Sequence, residues 1–492
     1  MNSTVPGLAE FVPLFSQFDV VPLVRSVTCE LPDPVLLYQS IRKNGEGFLL
    51  ESGKGGRFTL VGTGSVRRFV SRSGQHIRVD GEEEFEAAGD LFAFLRDSVF
   101  HESCYSHPEL PGFQAGGVGY FSYDVARYIE RLPELAEDDL HLPDAFFLFP
   151  DMFYRIDHTE GKVDLVCVIR TSGDDPQERY RQGEVCLDQM QTVLEQSAVT
   201  SDGPEDVLPD VEGVSDTRRA NISPEDFSSA VERAIEYILA GDIFQVNLSV
   251  RFAREYAGDP LLLYKTLRRI NPSPYMTFLE CGDHAIVGAS PELLLKVNGR
   301  EMITRPIAGT RKRGADEKED AAKARELIEN EKERAEHVML VDMERNDLGR
   351  VARYGTVRVD EFMGIEKYSH VMHIVSNVRG ELENRHDLFD AIPAVFPGGT
   401  ITGAPKVRAM EIIEELEPTR RGIYTGSVGW IGYNNDAELN ISIRTMIVKD
   451  GIAYAQAGAG IVADSVPAYE YKESLRKAEA ALKALRQTAG VL

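Results

Sequence analysis

Apolar and polar positions alternate over short runs through the first 170 residues of the chain. "GFLLES" (47–52), "RFTLVGTG" (57–64) and "GGVGYFSYDVARY" (116–128) read as strands bounded by glycine-bearing turns. Further along, "YMTFLE" (275–280), "AIVGAS" (285–290) and "ELLLKV" (292–297) predict three more strands. The period then lengthens. Residues 315–345 and 467–487 carry helical patterns, and in the second of these Leu475, Ala478, Leu482 and Leu485 form one packing stripe. Pro467 suits the first turn of that helix, as Pro224 after Ser223 suits the start of another at "SPEDF".

Strand runs mixed with segregated helices, and no repeat of 20–50 residues, predict an α+β fold rather than a regular βαβ wheel. Between the two strand-rich regions, residues 196–221 are acidic, carry Gly and Pro, and keep no period. This divides the chain into an N-terminal region 1–195, a linker 196–221 and a second region 222–487.

Charge narrows the partners. The chain has 54 basic and 79 acidic residues in 492, a net charge of −25. Such a field repels nucleic acid and anionic membrane surfaces, so a small anionic ligand needs local cations or a metal. No apolar run reaches the roughly 20 residues that span a bilayer, and the first twenty residues hold no secretion signal. Five scattered cysteines with no CxxC pair fit a reducing cytoplasm and ordinary buried thiols, not a zinc site.

Three kinds of constellation stand out from this background. Glu333 and Glu336 share a face of the 330–349 helix; Glu470, Glu473 and Lys477 lie opposite the packing stripe of the 467–487 helix. Each group alone is compatible with a solvated charged face. Facing one pocket, the two acidic pairs offer hard oxygen ligands for Mg²⁺. Glycine-bearing turns at 398–406, 421–430 and 457–465 match neither the P-loop nor the dinucleotide fingerprint. They are either plain β-turns or backbone amides presented to a carboxylate. Glu292, after Pro291 at a strand end, either caps a turn or aims a carboxyl into a cleft. His370 and His373 lie in a strand-like stretch without a nucleophile elbow.

Taken together, these segments resemble the chorismate-utilising enzymes, in the family's motif order over most of residues 222–485; residues 1–195 resemble the companion region of its anthranilate and aminodeoxychorismate synthase branches. The resemblance implies large antiparallel sheets packed as a sandwich with helices outside. It also implies that Glu336 and Glu473 ligate Mg²⁺, supported by Glu333 and Glu470. Arg444 and Tyr424 would hold the enolpyruvyl carboxylate of chorismate. Gly458, Ala459 and Gly460 amides, Thr400 and Lys477 would complete the anion site, with Gly309 and Thr310 touching substrate. Glu292 is implied as the acid that protonates the departing C4 hydroxyl, and His373 as the residue of the lyase half.

Two positions bear on the branch. Gln245 stands where a water-activating lysine marks the isochorismate and salicylate synthases, which favours ammonia as nucleophile. Ala308, in "RPIAGTRKRG", stands where aminodeoxychorismate synthases typically carry a lysine. The expectation is therefore an anthranilate synthase large subunit: chorismate and ammonia to anthranilate and pyruvate, with ammonia from a separate glutamine amidotransferase subunit. Ser52, Pro274, Tyr275 and Met276 match the L-tryptophan feedback pocket. The alternatives are an aminodeoxychorismate synthase component and, in another class, a non-catalytic tryptophan-binding subunit. The intact acidic set, Arg444 and Lys477 argue against the latter.

Overall fold

In a computed structural model, the described residues are 3–43, 45–53, 56–64, 67–173, 175–199, 219–368 and 371–489. They form two antiparallel sheets, of 13 and 12 strands counting Gly403–Ala404, which pairs with Gln245–Glu255 off the first path, and Arg358–Lys367, which pairs with Val371–Glu381 off the second. Edge to edge, the first sheet runs Thr4–Val5, Val20–Thr28, Lys162–Arg170, Met152–Asp157, Phe58–Thr63, Glu46–Ser52, Tyr275–Cys281, His284–Ser290, Thr445–Lys449, Ile452–Ile461, Gln245–Glu255 and Arg219–Ala220. The second runs Ile307–Lys312, Val371–Glu381, Glu301–Thr304, Leu293–Asn298, Ala437–Ile441, Ser427–Gly432, Gly116–Phe121, Ala145–Phe149, Arg67–Arg72, Gln75–Asp80 and Glu83–Ala88.

One hydrophobic core lies between the sheets, where Phe48, Phe153 and Ile286 of the first meet Phe147, Leu295 and Leu439 of the second. A second core lies between the first sheet and its helices; the stripe Ala478, Leu482 and Leu485 is buried there. Sandwich and outer helices follow from the alternation, which leaves one face of each strand apolar and in need of a cover.

The two regions read from the sequence share both sheets. Glu46–Ser52 pairs with Tyr275–Cys281, and Gly116–Phe121 with Ser427–Gly432. The linker is shorter than its composition implied: the helix Pro176–Val199 enters it, and Arg219–Ala220 pairs with Gln245–Glu255. The rest of it, 200–218, lies outside the described residues. The patterned stretch 315–345 is two helices, Glu317–Glu329 and Glu331–Gly349, broken at Asn330, whose side chain caps the second by accepting from the Glu333 amide at 3.1 Å. The run at 116–128 is a strand only to Phe121 and then turns helical. Ser223 does cap its helix, accepting from the Asp226 amide at 3.0 Å, and Gly241 at φ 85° ends it. Only Cys167 and Cys281 are buried; Cys29, Cys104 and Cys186 are half-buried. No helix among the described residues is long and apolar enough to cross a membrane.

Candidate active site

The site is assembled where the chain passes between sheets. Pro291 and Glu292 join His284–Ser290 of the first sheet to Leu293–Asn298 of the second. Residues 442–444 make the return crossing, from Ala437–Ile441 to Thr445–Lys449. The crossings are bonded together: Ser290 Oγ donates to the Ile441 carbonyl at 2.5 Å, the Ile441 amide to the Glu292 carbonyl at 3.0 Å, and the Ala289 amide to the Arg444 carbonyl at 3.2 Å. A third corner joins them, since the Thr425 amide donates to the Ser442 carbonyl at 2.9 Å. Glu292, Tyr424 and Arg444 thereby come from three distant segments into one corner.

Glu292 is 4% exposed, and burial pushes its carboxyl up to about 7. The Ile307 amide and Thr400 Oγ1 oppose that rise; Thr400 Oγ1, buried and without a partner at hydrogen-bonding geometry, faces the acid closely enough to favour its charged form. Arg444 has φ 53° and no carboxylate partner among the described residues. Burial depresses its guanidinium, opposed by the charges of Tyr424 and Glu473. A half-buried cation without a counter-ion is what an anionic ligand requires.

His373 and Thr310 face each other across the ladder of Ile307–Lys312 and Val371–Glu381, with an irregularity at Gly309. His373 Nδ1 lies 3.0 Å from both the Gly309 carbonyl and Thr310 Oγ1. A carbonyl only accepts, so this contact puts the proton on Nδ1 and leaves Nε2 as the basic nitrogen. Burial lowers the imidazole to about 4. Gly309 sits at φ 60°, where a Cβ would lie 2.8 Å from Glu333 Oε2 and 2.9 Å from Leu327 Cδ1. The left-handed backbone favours glycine there, since any side chain would be strained and would displace Glu333 or Leu327. Ala308, 7% exposed, brings a methyl group and no amine.

The helices Glu331–Gly349 and Pro467–Ala489 bring in the acidic set. Lys477 Nζ donates to the Gly458 carbonyl at 3.0 Å. Its ammonium is lowered by burial, and the charges of Glu473, Glu336 and Glu470 act against that, with Glu473 Oε1 3.9 Å away. Gln245 Nε2 reaches Glu336 Oε1 at 3.4 Å, while Gln245 Oε1 is buried and unpartnered. Burial and the neighbouring Glu333 raise the Glu336 carboxyl. Glu333 is held by Arg311 at 2.8 Å. No three carboxylates, histidines or cysteines converge as a metal cluster among the described residues. The donor chemistry nevertheless fits a Mg²⁺ held by two carboxylates, with water and an anionic ligand completing it: Glu336 and Glu333 repel each other, which a cation would relieve.

Strand Thr445–Lys449 covers Ile452–Ile461 only as far as Ala455, so 456–461 is paired on the Gln245–Glu255 side alone. Gly458, Ala459 and Gly460 lie in that open stretch. A Cβ on Gly460 would come within 2.7 Å of Gln245 Nε2.

The tryptophan-pocket candidates line a cavity of about 810 Å³ between the sheets. Ser52 stands directly opposite Tyr275 in the ladder, the Gly53 amide donates to the Pro274 carbonyl at 2.8 Å, and Met276 follows. Phe58, Phe113, Tyr368 and Trp430 add aromatic walls. His370 is outside the described residues.

Sequence reasoning passed over several buried polar groups behind the site. Lys406 Nζ donates to Asp347 at 2.6 Å, and burial with Asp347 pushes Glu344 up to about 8. Glu344 is eleven residues beyond Glu333, three helical turns, and that period was the available signal. Asn247 donates to the Thr400 carbonyl at 2.8 Å, and no pattern marked it.

A buried carboxyl, a buried imidazole and a guanidinium without a carboxylate partner among the described residues lie about the joint of two stacked antiparallel sheets. The family model described as chorismate binding enzyme matches residues 45–483, and the chain belongs to that family. It is 51% identical over 440 residues to aminodeoxychorismate synthase component 1 of Bacillus subtilis strain 168, covering 89% of this chain and 91% of that one. It is 46% identical over 472 residues to anthranilate synthase component 1 of Thermus thermophilus, covering 94% and 97%. The crystal structure of anthranilate synthase component I from Streptococcus pneumoniae TIGR4 matches with a TM-score of 0.76 at 33% identity, over 92% of this chain and 98% of that one.

Proposed function

We propose that the chain is the large component of an anthranilate synthase, converting chorismate and ammonia to anthranilate, pyruvate and water. Ala308 carries the reading: position 308 has no amine to act as a covalent nucleophile, and the neutral Gln245 cannot act as a base toward water.

Arg444 and Tyr424 hold the enolpyruvyl carboxylate. Thr400, Lys477 and the open strand edge at Gly458, Ala459 and Gly460 hold the ring carboxylate, with Gly309 and Thr310 against the ring. Mg²⁺, held by Glu336 and Glu473 with Glu333 and Glu470 in support, would supply charge neutralisation for the ring carboxylate. Glu292 donates its proton to the C4 hydroxyl, which leaves as water while ammonia adds at C2, and the proton shed by the new ammonium restores the acid. His373 Nε2 takes the C2 proton, the C3–O bond breaks, the ring becomes aromatic, and the expelled enolpyruvate takes up a proton at its methylene carbon to become pyruvate. Ammonia comes from glutamine through a separate amidotransferase component. L-Tryptophan inhibits from the cavity bearing Ser52, Pro274, Tyr275 and Met276.

A second reading, aminodeoxychorismate synthase component 1, is favoured by the 51% identity to the Bacillus subtilis protein. The test is purified protein with chorismate, Mg²⁺ and an ammonium salt at alkaline pH, products resolved by chromatography. Anthranilate with equimolar pyruvate is expected. Aminodeoxychorismate without pyruvate selects the second reading, and absence of turnover overturns both.

A further inference from the structure

The inter-sheet cavity and His373 are separated by a single ring. Tyr368 lines the cavity, and its ring centroid lies 5.6 Å from that of the His373 imidazole. The Tyr368 hydroxyl donates to Glu366 Oε2 at 2.5 Å, and Glu366 Oε1 accepts from Arg305 Nη2 at 2.5 Å. Arg305 and Glu366 also line the cavity, and Glu366 stands opposite His373 in the ladder.

Four cations among the described residues line this cavity, and they are not equivalent. Arg57 fills its fork on Asp157 through both Nε and Nη2. Lys296 is held by Glu438 at 2.6 Å and Lys367 by Asp320 at 2.9 Å. Arg305 gives Nη2 to Glu366, with a 3.4 Å contact to Glu361, while its Nε–H is buried without an acceptor. Nε and Nη2 are the two arms with which a guanidinium grips a carboxylate side-on. The Arg305 fork is half-filled.

We propose that Arg305, Glu366 and Tyr368 couple the cavity to His373. The carboxylate of an aromatic amino acid in the cavity completes the Arg305 fork and draws it from Glu366. Glu366, its side chain only 30% exposed, is then uncompensated and moves. The movement alters its bond from Tyr368 and shifts the ring packed on His373, so the base loses its alignment with the C2 proton. The coupling rests on the tryptophan-pocket reading above. The groups facing His373 are Tyr368 and Glu366 on one side, Gly309 and Thr310 on the other, with Arg444 acting through its charge.

The experiment measures L-tryptophan binding by calorimetry and L-tryptophan inhibition of the ammonia-dependent reaction, in the wild type, Glu366→Gln and Tyr368→Phe. The coupling predicts binding within about threefold of wild type in both variants, with the half-inhibiting concentration raised about tenfold or more. Tyr368→Phe keeps the ring and removes only the hydroxyl, so a purely packing role would leave inhibition intact. Unchanged inhibition in both variants overturns the coupling. A parallel loss of binding and inhibition also overturns it, because the residues would then be binding contacts alone. If the wild type binds no L-tryptophan, the pocket reading itself fails, and the calorimetry shows that directly.

Discussion

Glu292 illustrates how a single buried position serves chemistry at a cost to folding. Its carboxyl is raised from 4.5 to about 7, so the folded chain holds a proton that the unfolded chain releases between those values. Stability from this group is therefore full below pH 4.5 and falls as pH rises toward 7, by about 3 kcal/mol for such a shift. A residue that cannot ionise escapes the penalty. Glu292→Gln is expected to unfold at higher denaturant than wild type at pH 8 but not at pH 4, while turnover falls by roughly 10²–10⁴-fold. Equal stability at both pH values, or retained turnover, contradicts the assignment of the acid. His373 is shifted the other way, to about 4, so between about pH 4 and 7 it is a neutral base while Glu292 is still an acid. At constant free ammonia, the rate is expected to decline as pH passes about 7; a profile flat to pH 9 would remove Glu292 as the proton donor.

Helices here have two working faces, and the faces separate by mutation. On Pro467–Ala489, Leu482 is 4% exposed in the core, whereas Glu473 pairs with Arg476 at 3.2 Å and Lys477 at 3.9 Å on a half-exposed face. Exposed pairs of that kind contribute about 0–1 kcal/mol. Glu473→Gln is thus expected to abolish the dependence of rate on Mg²⁺ while Tm stays close to wild type. Leu482→Ala, on the opposite face, removes about 2–5 kcal/mol and leaves the Mg²⁺ response in the folded fraction. Titrating Mg²⁺ against initial rate, beside thermal melts, distinguishes them; a Glu473→Gln enzyme with normal Mg²⁺ activation removes that residue from the metal set.

Across the whole molecule, the two sequence regions depend on each other. Cutting the chain between residues 195 and 222 leaves both sheets without their central pairings, Glu46–Ser52 on Tyr275–Cys281 and Gly116–Phe121 on Ser427–Gly432. Long unpaired edges and an opened inter-sheet core promote aggregation. Fragments 1–195 and 222–492 expressed separately are expected to be insoluble or unfolded by circular dichroism. Two soluble fragments, each melting cooperatively, would show the regions to be independent domains.

The elements were legible in the sequence because they depend on local period and residue type, whereas the roles of the site residues rest on the resemblance to a family's motifs. The strands at 275–297 follow from alternation, the caps at Ser223 and Pro467 from backbone chemistry, and the faces of Glu333/Glu336 and Glu470/Glu473 from 3.6 residues per turn. Asn330 broke a helix that composition continued, because its side chain bonds a neighbouring amide. Other features had no local trace. Glu292 lies 149 positions before Ile441, and only the bonding of two chain crossings brings the two together. Likewise the half-filled fork of Arg305 exists only because Ile307–Lys312 and Arg358–Lys367 both pair with Val371–Glu381. Periodicity records which face of an element is buried, whereas which buried faces meet is decided by long-range pairing.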